Sequence, residues 1–498
     1  MNVNPITRLD YPDPDVIRVE DTYYMVSTIM HFMPGCEILQ SFDLVHWEHV
    51  TYVYETLDHT DAQQLKSGQN IYGQGMWAAS LRYHEGRFYI CFVANDTRKT
   101  YLYTSEKIDG PWKKQLIEGF YHDGSLLFDE DGRNYIVYGN DEIWITELNE
   151  DLTAPKKDGL HRLLVSDHKN PELGYEGSHI QKINGYYYIF LVHSLRDRWM
   201  RTEACFYSDS LEGEFTGGDV LCDDRGYCGQ GVAQGGIVDT PDGKWYAMLF
   251  QDSGAVGRIP ILLPVTWKDH FPVFGQNGHV PEEIEVHSTR PGYIYQPLVG
   301  SDDFCNGLLP RWQFNHDPDP RYYHLDALQG TYTITTREVC TELTQAVNTL
   351  TQRMSYPSCA AEVTVDASAL KEGDVAGLCA LQGCYAAVGI TKHHGKYEVL
   401  MLDKKEDGIL DMTEGTVVES HQMDFRLEAD FCNMKDEARC YYRVNKGDWL
   451  PIGTVHKLYF KLDHFTGCRF GLFCYAAEET GGSACFRDFK YYDVDEIS

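Results

Sequence analysis

The 498-residue chain reads as all-β, a five-bladed β-propeller followed by a β-sandwich. Three observations carry that reading. Five segments of the first half repeat one pattern, a short turn leading into a strand with paired aromatics. Long amphipathic helical stretches are hard to find in that half. Beyond about residue 303, regularly alternating strands take over.

The five repeats are VIRVEDTYYMV (16–26), LRYHEGRFYICF (81–92), LLFDEDGRNYIVY (126–138), IQKINGYYYIFLV (180–192) and IVDTPDGKWYAMLF (237–250). Four of their turns carry Gly after Asp, Glu or Asn, a strong hairpin signal, and the first uses Glu-Asp-Thr. Their last aromatics, Tyr24, Tyr89, Tyr135, Tyr188 and Tyr246, are spaced by 65, 46, 53 and 58 residues. That suits one four-stranded unit with variable loops, and five such units stack radially as a propeller. A β-sandwich is the alternative for this half, which the aromatic repeat disfavours. Turn-rich sequence over 276–302 reads as a connection. The strands expected after it include 330–336, 360–368, 385–402, 438–445 and 470–477, a sandwich pattern. The expected domains are 1–295 and 303–498.

Composition narrows the function. A net charge of −32 lacks the cationic footprint of a nucleic-acid binder. No run of about 18 apolar residues offers a membrane span. Fifteen cysteines without a Cys-x-x-Cys pair, and an N-terminus (MNVNPITRLDYPDPD) without a cationic, apolar leader, predict a cytoplasmic protein with free thiols. The glycine-rich stretch from Cys228 lacks the spacing and context of a dinucleotide motif. No nucleophile elbow or Walker loop is present.

Counting back twelve residues from four of the tyrosines, and eleven from Tyr24, reaches Trp77, Asp123, Glu176, Gln234 and Asp13. The expectation is that these five occupy equivalent positions just ahead of the innermost strands, where a propeller gathers them in one funnel. Carboxylates crowded in a cleft push one another's proton affinities apart, as paired acid and base catalysis requires. Neighbouring residues, Pro12 and Pro14, Gly124 and Gly177, can fix the direction of each acid.

These stretches resemble glycoside hydrolase family 43, the five-bladed propeller β-xylosidases and α-L-arabinofuranosidases. The motifs include NPITRLDYPDPDVIRVEDTYYMVST, GMWAASLRYHEGRFYICF, YHDGSLLFDEDGRNYIVYG, GYEGSHIQKINGYYYIF, GGIVDTPDGKWYAMLF and GRIPILLPVTWKD, covering residues 4 to about 275. The resemblance implies a general base at Asp13, a general acid at Glu176, and at Asp123 the residue that orients the acid and tunes its proton affinity. It implies single-step inversion, with the two catalytic carboxyl groups roughly 6.5–9.5 Å apart. Asp15 is the nearest competitor for the base. Trp77 is expected as an apolar wall and Arg258 as a hydroxyl-binding cation. Met30 stands where many xylosidases have Phe, which tilts the expected sugar toward arabinofuranose; Phe32 and His31 are further pocket candidates. Gln234 replaces a His that in relatives ligates calcium. Gln can offer calcium an oxygen, although no cofactor is expected to be required.

The second half resembles the concanavalin-like domain of family 43 xylosidases through WQFNHDPDPRYYHL, AVNTLTQR and GDVAGLCALQG. In relatives it packs on the propeller and sends a loop toward the pocket; an independent carbohydrate-binding module is the alternative. The expected activity is exo-acting, inverting hydrolysis of terminal arabinofuranosyl or xylosyl units from short oligosaccharides. The expected protein has no nucleic-acid or membrane partner, and homo-oligomers are compatible with the sequence. The alternatives are a non-catalytic sugar-binding propeller and a retaining fructan-type hydrolase, whose Trp-Met-Asn-Asp and Arg-Asp-Pro signatures are not seen.

Overall fold

Each repeat folds into a four-stranded antiparallel meander, and the five meanders form the blades of a propeller. The computed structural model describes residues 2–493. Their inner strands are Asp15–Val19, Met76–His84, Ser125–Phe128, Glu176–Ile183 and Val232–Asp239 in blades I to V. Two-residue turns close the first hairpins of blades II and IV. In these, Glu85-Gly86 and Asn184-Gly185 both take positive φ, which glycine adopts without strain.

The repeated aromatics hold neighbouring blades together. Tyr24 meets Phe88 edge-on at 5.9 Å, Tyr89 meets Phe128 at 4.6 Å, and Tyr188 meets Trp267 at 5.3 Å. Edge and tilted contacts of this kind add to the area they bury. At the seam between blades V and I, Asn4 donates to Leu262 O and Pro281 O and accepts from Leu262 N. A two-stranded ladder between Asn2–Val3 and Glu283–Ile284 completes the seam.

The second half is a sandwich of a seven-stranded and a nine-stranded sheet. Inward residues such as Val363, Phe425 and Phe486 meet Leu378, Val388 and Ile390 in one core. Among the described residues the helical segments are four short 3₁₀ turns, at 66–68, 254–256, 343–345 and 432–434.

The two halves share structure. The short strand Phe32–Met33, sent out by blade I, pairs with Gln313–Asn315 and becomes the edge of the nine-stranded sheet. A single apolar cluster runs across the divide, joining Phe32, Ile90 and Phe92 to Leu381, Leu402 and Phe473. Buried Arg353 of the sandwich pairs with buried Glu37 of blade I at 3.0 Å, donates to Asp10 O, and lies 4.0 Å from the Tyr11 ring centroid. A buried ion pair needs such extra bonds to offset its desolvation.

Candidate active site

The strand register corrects one sequence expectation. Tyr24, Tyr89, Tyr135, Tyr188 and Tyr246 pair with Ile17, Arg82, Leu127, Gln181 and Val238. Counted back from these partners, Asp13, Asp123 and Gln234 lie four residues away, whereas Trp77 and Glu176 lie five. The cause is turn length: the first hairpins of blades III and V close through five residues and the others through two. The five positions therefore occupy two adjacent phases. Nor do all precede their strands: Glu176 opens one, and Trp77 and Gln234 sit in irregularities inside theirs.

The shared phase has its own geometry. At four residues back, Asp13 (φ 53°), Asp123 (φ 48°), Gly177 (φ 67°) and Gln234 (φ 62°) are all left-handed. Holding a non-glycine residue there costs on the order of 1 kcal/mol, and such strain gathers at functional sites. Glycine is needed at 177, because a Cβ would lie 2.7 Å from Gln234 Cγ.

Asp13 is buried, with its Oδ1 3.0 Å from Arg258 Nη1 and its Oδ2 accepting from Thr28 Oγ1 at 2.5 Å. Asp123 is buried and its Oδ2 accepts the Gly177 N–H at 3.0 Å, which ties it to the backbone beside Glu176. Glu176 remains partly open, and its Oε2 accepts from Asn140 Nδ2 at 2.9 Å. His122 Nε2 stands 3.6 Å from Glu176 Oε2 and 3.7 Å from Asp123 Oδ2.

Electrostatics bind this group into a unit. Burial pushes the Asp123 carboxyl up to about 6; nearby His122 lowers it, while Glu176 and Asp13 raise it further. Burial lowers the His122 imidazole, but Asp123, Glu176 and Asp13 outweigh burial and lift it to about 9. At neutral pH an imidazolium thus lies between two carboxyl groups. The donor atoms of His122, Asp123 and Glu176 lie within 4.8 Å of one another, a spacing that could hold a metal. A metal there would first have to displace the proton of the imidazolium.

Arg258 is 2% exposed, and its Nε and Nη2 have no protein partner. The sandwich supplies its cover: the guanidinium lies 4.2 Å from the Phe465 ring centroid and 5.9 Å from that of Phe460. Phe465 also meets Trp77 at 5.5 Å. Trp77 is half-buried with its Nε1 unpartnered, and its ring centroid is 6.0 Å from that of His122. Trp77, Arg258 and Phe465 thus form one wall, two of them from the propeller and one from the sandwich.

Phe32 and Met30 stand elsewhere. Phe32, expected in the pocket, is 1% exposed, belongs to the inter-domain strand and is covered by Arg469 at 3.4 Å. Its burial against the sandwich, which local sequence does not reveal, removes it from the mouth. Met30 is 1% exposed and its backbone bridges to Met76, so it offers the mouth almost no surface. His31 packs with His316 and Tyr72 beneath the sandwich. Asp15 points down the channel to Arg82 and His179, away from the role of base.

Gln234 N donates to Glu203 Oε2 at 2.7 Å, and burial holds the Glu203 carboxyl well above the usual carboxylate range. Calcium takes roughly six to eight oxygen ligands. One buried carboxyl and one amide offer few of these, which leaves the remaining positions to water.

Sequence reading missed His122, Thr28, Asn140, Arg201 and Phe465. Arg201 had a usable signal. It opens the third strand of blade IV as Arg258 opens that of blade V, pairs with Asp252, and is lowered to about 10 by burial and Arg258. Phe465 had none, because its place depends on how the domains dock.

Comparison with known proteins agrees with this architecture. The sequence model of Glycosyl hydrolases family 43 matches residues 3–272, and that of the β-xylosidase C-terminal concanavalin A-like domain matches 301–492. A β-xylosidase of Formosa agariphila is 27% identical over 99% of this chain and 89% of its own length. A xylosidase/arabinosidase of Butyrivibrio fibrisolvens is 24% identical over 99% of both chains. The solved structure of a bifunctional GH43-CE protein of Bacteroides eggerthii superposes with a TM-score of 0.92 at 42% identity. That match covers 99% of this chain, which spans 64% of the length of the bifunctional protein. With the first model matching more than half of its length and the second most of the remainder, the chain belongs to glycosyl hydrolase family 43.

Proposed function

We propose that the protein is an exo-acting, inverting glycosidase that removes terminal xylosyl or arabinofuranosyl units from short oligosaccharides. The observation that carries the exo reading is the cover over the mouth. Phe465 and Phe460 from the sandwich lie above Arg258, so the channel suits a chain end rather than a chain interior. Relatives named for xylosidase and for combined xylosidase/arabinosidase activity support the sugar class.

In this reading Glu176, open to the mouth and held by Asn140 through one oxygen, gives its proton to the glycosidic oxygen. Asp13, aligned by Arg258 and Thr28, takes a proton from the water that attacks the opposite face of the sugar. Asp123 grips the Gly177 N–H and so fixes the backbone that carries Glu176. His122 balances the charge between them. The free N–H groups of Arg258 meet ring hydroxyls, and Trp77 and Phe465 supply flat apolar walls. Fifteen unbonded cysteines, most of them buried, support a reducing compartment, so the substrates would be oligosaccharides in the cytoplasm.

The test is turnover of two substrates with poor leaving groups, xylobiose and methyl α-L-arabinofuranoside, with Glu176→Ala as control and NMR of the first-formed anomer. Turnover lost in the variant, with inverted product, is expected. Retained configuration, or turnover that survives Glu176→Ala, would overturn the assignment.

A further inference from the structure

One largely enclosed cation among the inner strands, with its side chain 13% exposed, has no part in the chemistry above, and all five of its N–H groups are used. Arg82, on the inner strand of blade II, donates from Nη1 to Asp15 Oδ2 at 2.8 Å and to Leu81 O at 2.7 Å. Its Nη2 donates to Ser125 Oγ at 2.6 Å and to Ile180 O at 3.2 Å, and its Nε to Leu126 O at 2.8 Å. The acceptors belong to blades I, II, III and IV.

The partners hold one another as well. Asp15 Oδ2 accepts the Leu81 N–H at 2.7 Å, and its Oδ1 lies 3.0 Å from His179 Nδ1. Ser125 Oγ accepts the Ile180 N–H at 3.1 Å. Burial alone would raise Asp15, but Arg82 and His179 outweigh it and hold that carboxyl down to about 2. Three members of this network follow residues of the mouth closely in the chain. Asp15 follows Asp13 by two residues, Ser125 follows Asp123 by two, and His179 follows Glu176 by three.

We propose that Arg82 is a positioning residue for the glycosidase reaction, its guanidinium setting the mutual spacing of Asp13, Asp123 and Glu176 through the three strands that carry them. The physical reason is shape. A guanidinium presents five donors in a rigid planar fork, whereas an ammonium is a point charge on a flexible stem. Displacements of about 1 Å in a catalytic constellation can cost about a hundredfold in rate. The inference rests on the roles proposed above for the three carboxylates.

The test compares Arg82→Lys with the charge-balanced double variant Asp15→Asn/Arg82→Gln, and runs Glu176→Gln in parallel. Arg82→Lys is expected to fold and to lose roughly a hundredfold in kcat, with KM within about threefold of wild type. The limbs of its pH–rate profile should also move, because the carboxyl groups no longer sense one another at the same distances. The double variant, relieved of an unpaired buried charge, should fold and remain slow. Wild-type kcat in Arg82→Lys, or full recovery in the double variant, would overturn the proposal and reduce Arg82 to a counter-charge for Asp15. Failure of both to fold would likewise overturn it, in favour of a purely structural role. If Glu176→Gln keeps wild-type turnover, the carboxylate assignment itself fails, and that outcome is separate from any seen at Arg82.

Discussion

The two mouths of the propeller channel are built by the same five strands, yet they use their polar groups in opposite ways. The mouth at the hairpin turns opens on a cavity of about 410 Å³ lined by Arg18, Tyr83, Phe128, Lys182, Asp239 and Trp245. Its charges are spent. Arg18 pairs with Asp239, and Lys182 pairs with Asp129 at 2.7 Å and Glu130 at 2.9 Å. At the other mouth Trp77 Nε1, His122 Nε2, Ser178 Oγ, Arg201 Nε, Glu203 Oε1 and two nitrogens of Arg258 are buried without hydrogen-bond partners. Leaving such a group unpaired costs about 1–3 kcal/mol. The backbone there is left-handed at four positions of one phase. Room alone does not mark a site. Unsatisfied polar groups beside strained backbone do, because a substrate can complete them.

The contrast is sharpest at the carboxylates. Glu176→Gln should lower kcat by about 10²–10⁴ on glycosides with poor leaving groups and by much less on activated aryl glycosides. Asp13→Asn should cost a similar factor whatever the leaving group, since a base acts on water. A leaving-group series measured for both variants checks this, and an identical dependence would erase the division of labour between them.

His122 offers an effect on pH rather than on rate. It lowers the proton affinity of Asp123, which stands at about 6. Replacing it in His122→Gln should move the acidic limb of the kcat/KM profile to higher pH. A limb that stays in place would remove His122 from the electrostatic unit.

The sandwich wall should show in binding. Phe465→Ala should raise KM by roughly tenfold, about 1.4 kcal/mol of lost burial, with a smaller change in kcat. Equal loss in both parameters would mean that the loop orders the carboxylates rather than the sugar.

Glu203 tests whether polar burial at this mouth carries a stability cost. Its folded-state proton affinity lies well above that of the unfolded chain. The stability it contributes is therefore present in full below the unfolded value, roughly pH 4.3, and declines as pH rises toward the folded value. Glu203→Gln should unfold at a higher temperature than wild type at pH 8, with the gap narrowing toward pH 4. A gap that does not depend on pH would show that Glu203 is not held protonated.

The smallest effects belong to the turn-side mouth. Arg18→Ala should leave kcat/KM within about twofold and cost about 0–1 kcal/mol of stability, as for other part-exposed ion pairs. A loss of tenfold or more in activity would break the comparison between the mouths.

Much of this was legible in residue order. Aromatic spacing marked five blades because every blade must bury the same face against its neighbours, and hairpin glycines marked where each strand reverses. Counting along the repeat brought out Asp13, Asp123 and Glu176, but it misjudged their equivalence by one residue. A two-residue and a five-residue turn look alike as signals and differ in length. Arg82 lies inside the second repeat, but a lone arginine in a strand carries no mark of the four blades it joins.

The sequence by itself determined the blade count, the sandwich, the family and the three acids, all of which follow from local periodicity and motifs. Tertiary structure alone decided what faces the substrate. It withdrew Phe32 into an inter-domain sheet, brought Phe465 over Arg258 from the far end of the chain, and placed His122 between two carboxyl groups. The physical reason is that strand patterns report which face of a strand is buried, whereas the partner that buries it is chosen by packing between segments hundreds of residues apart.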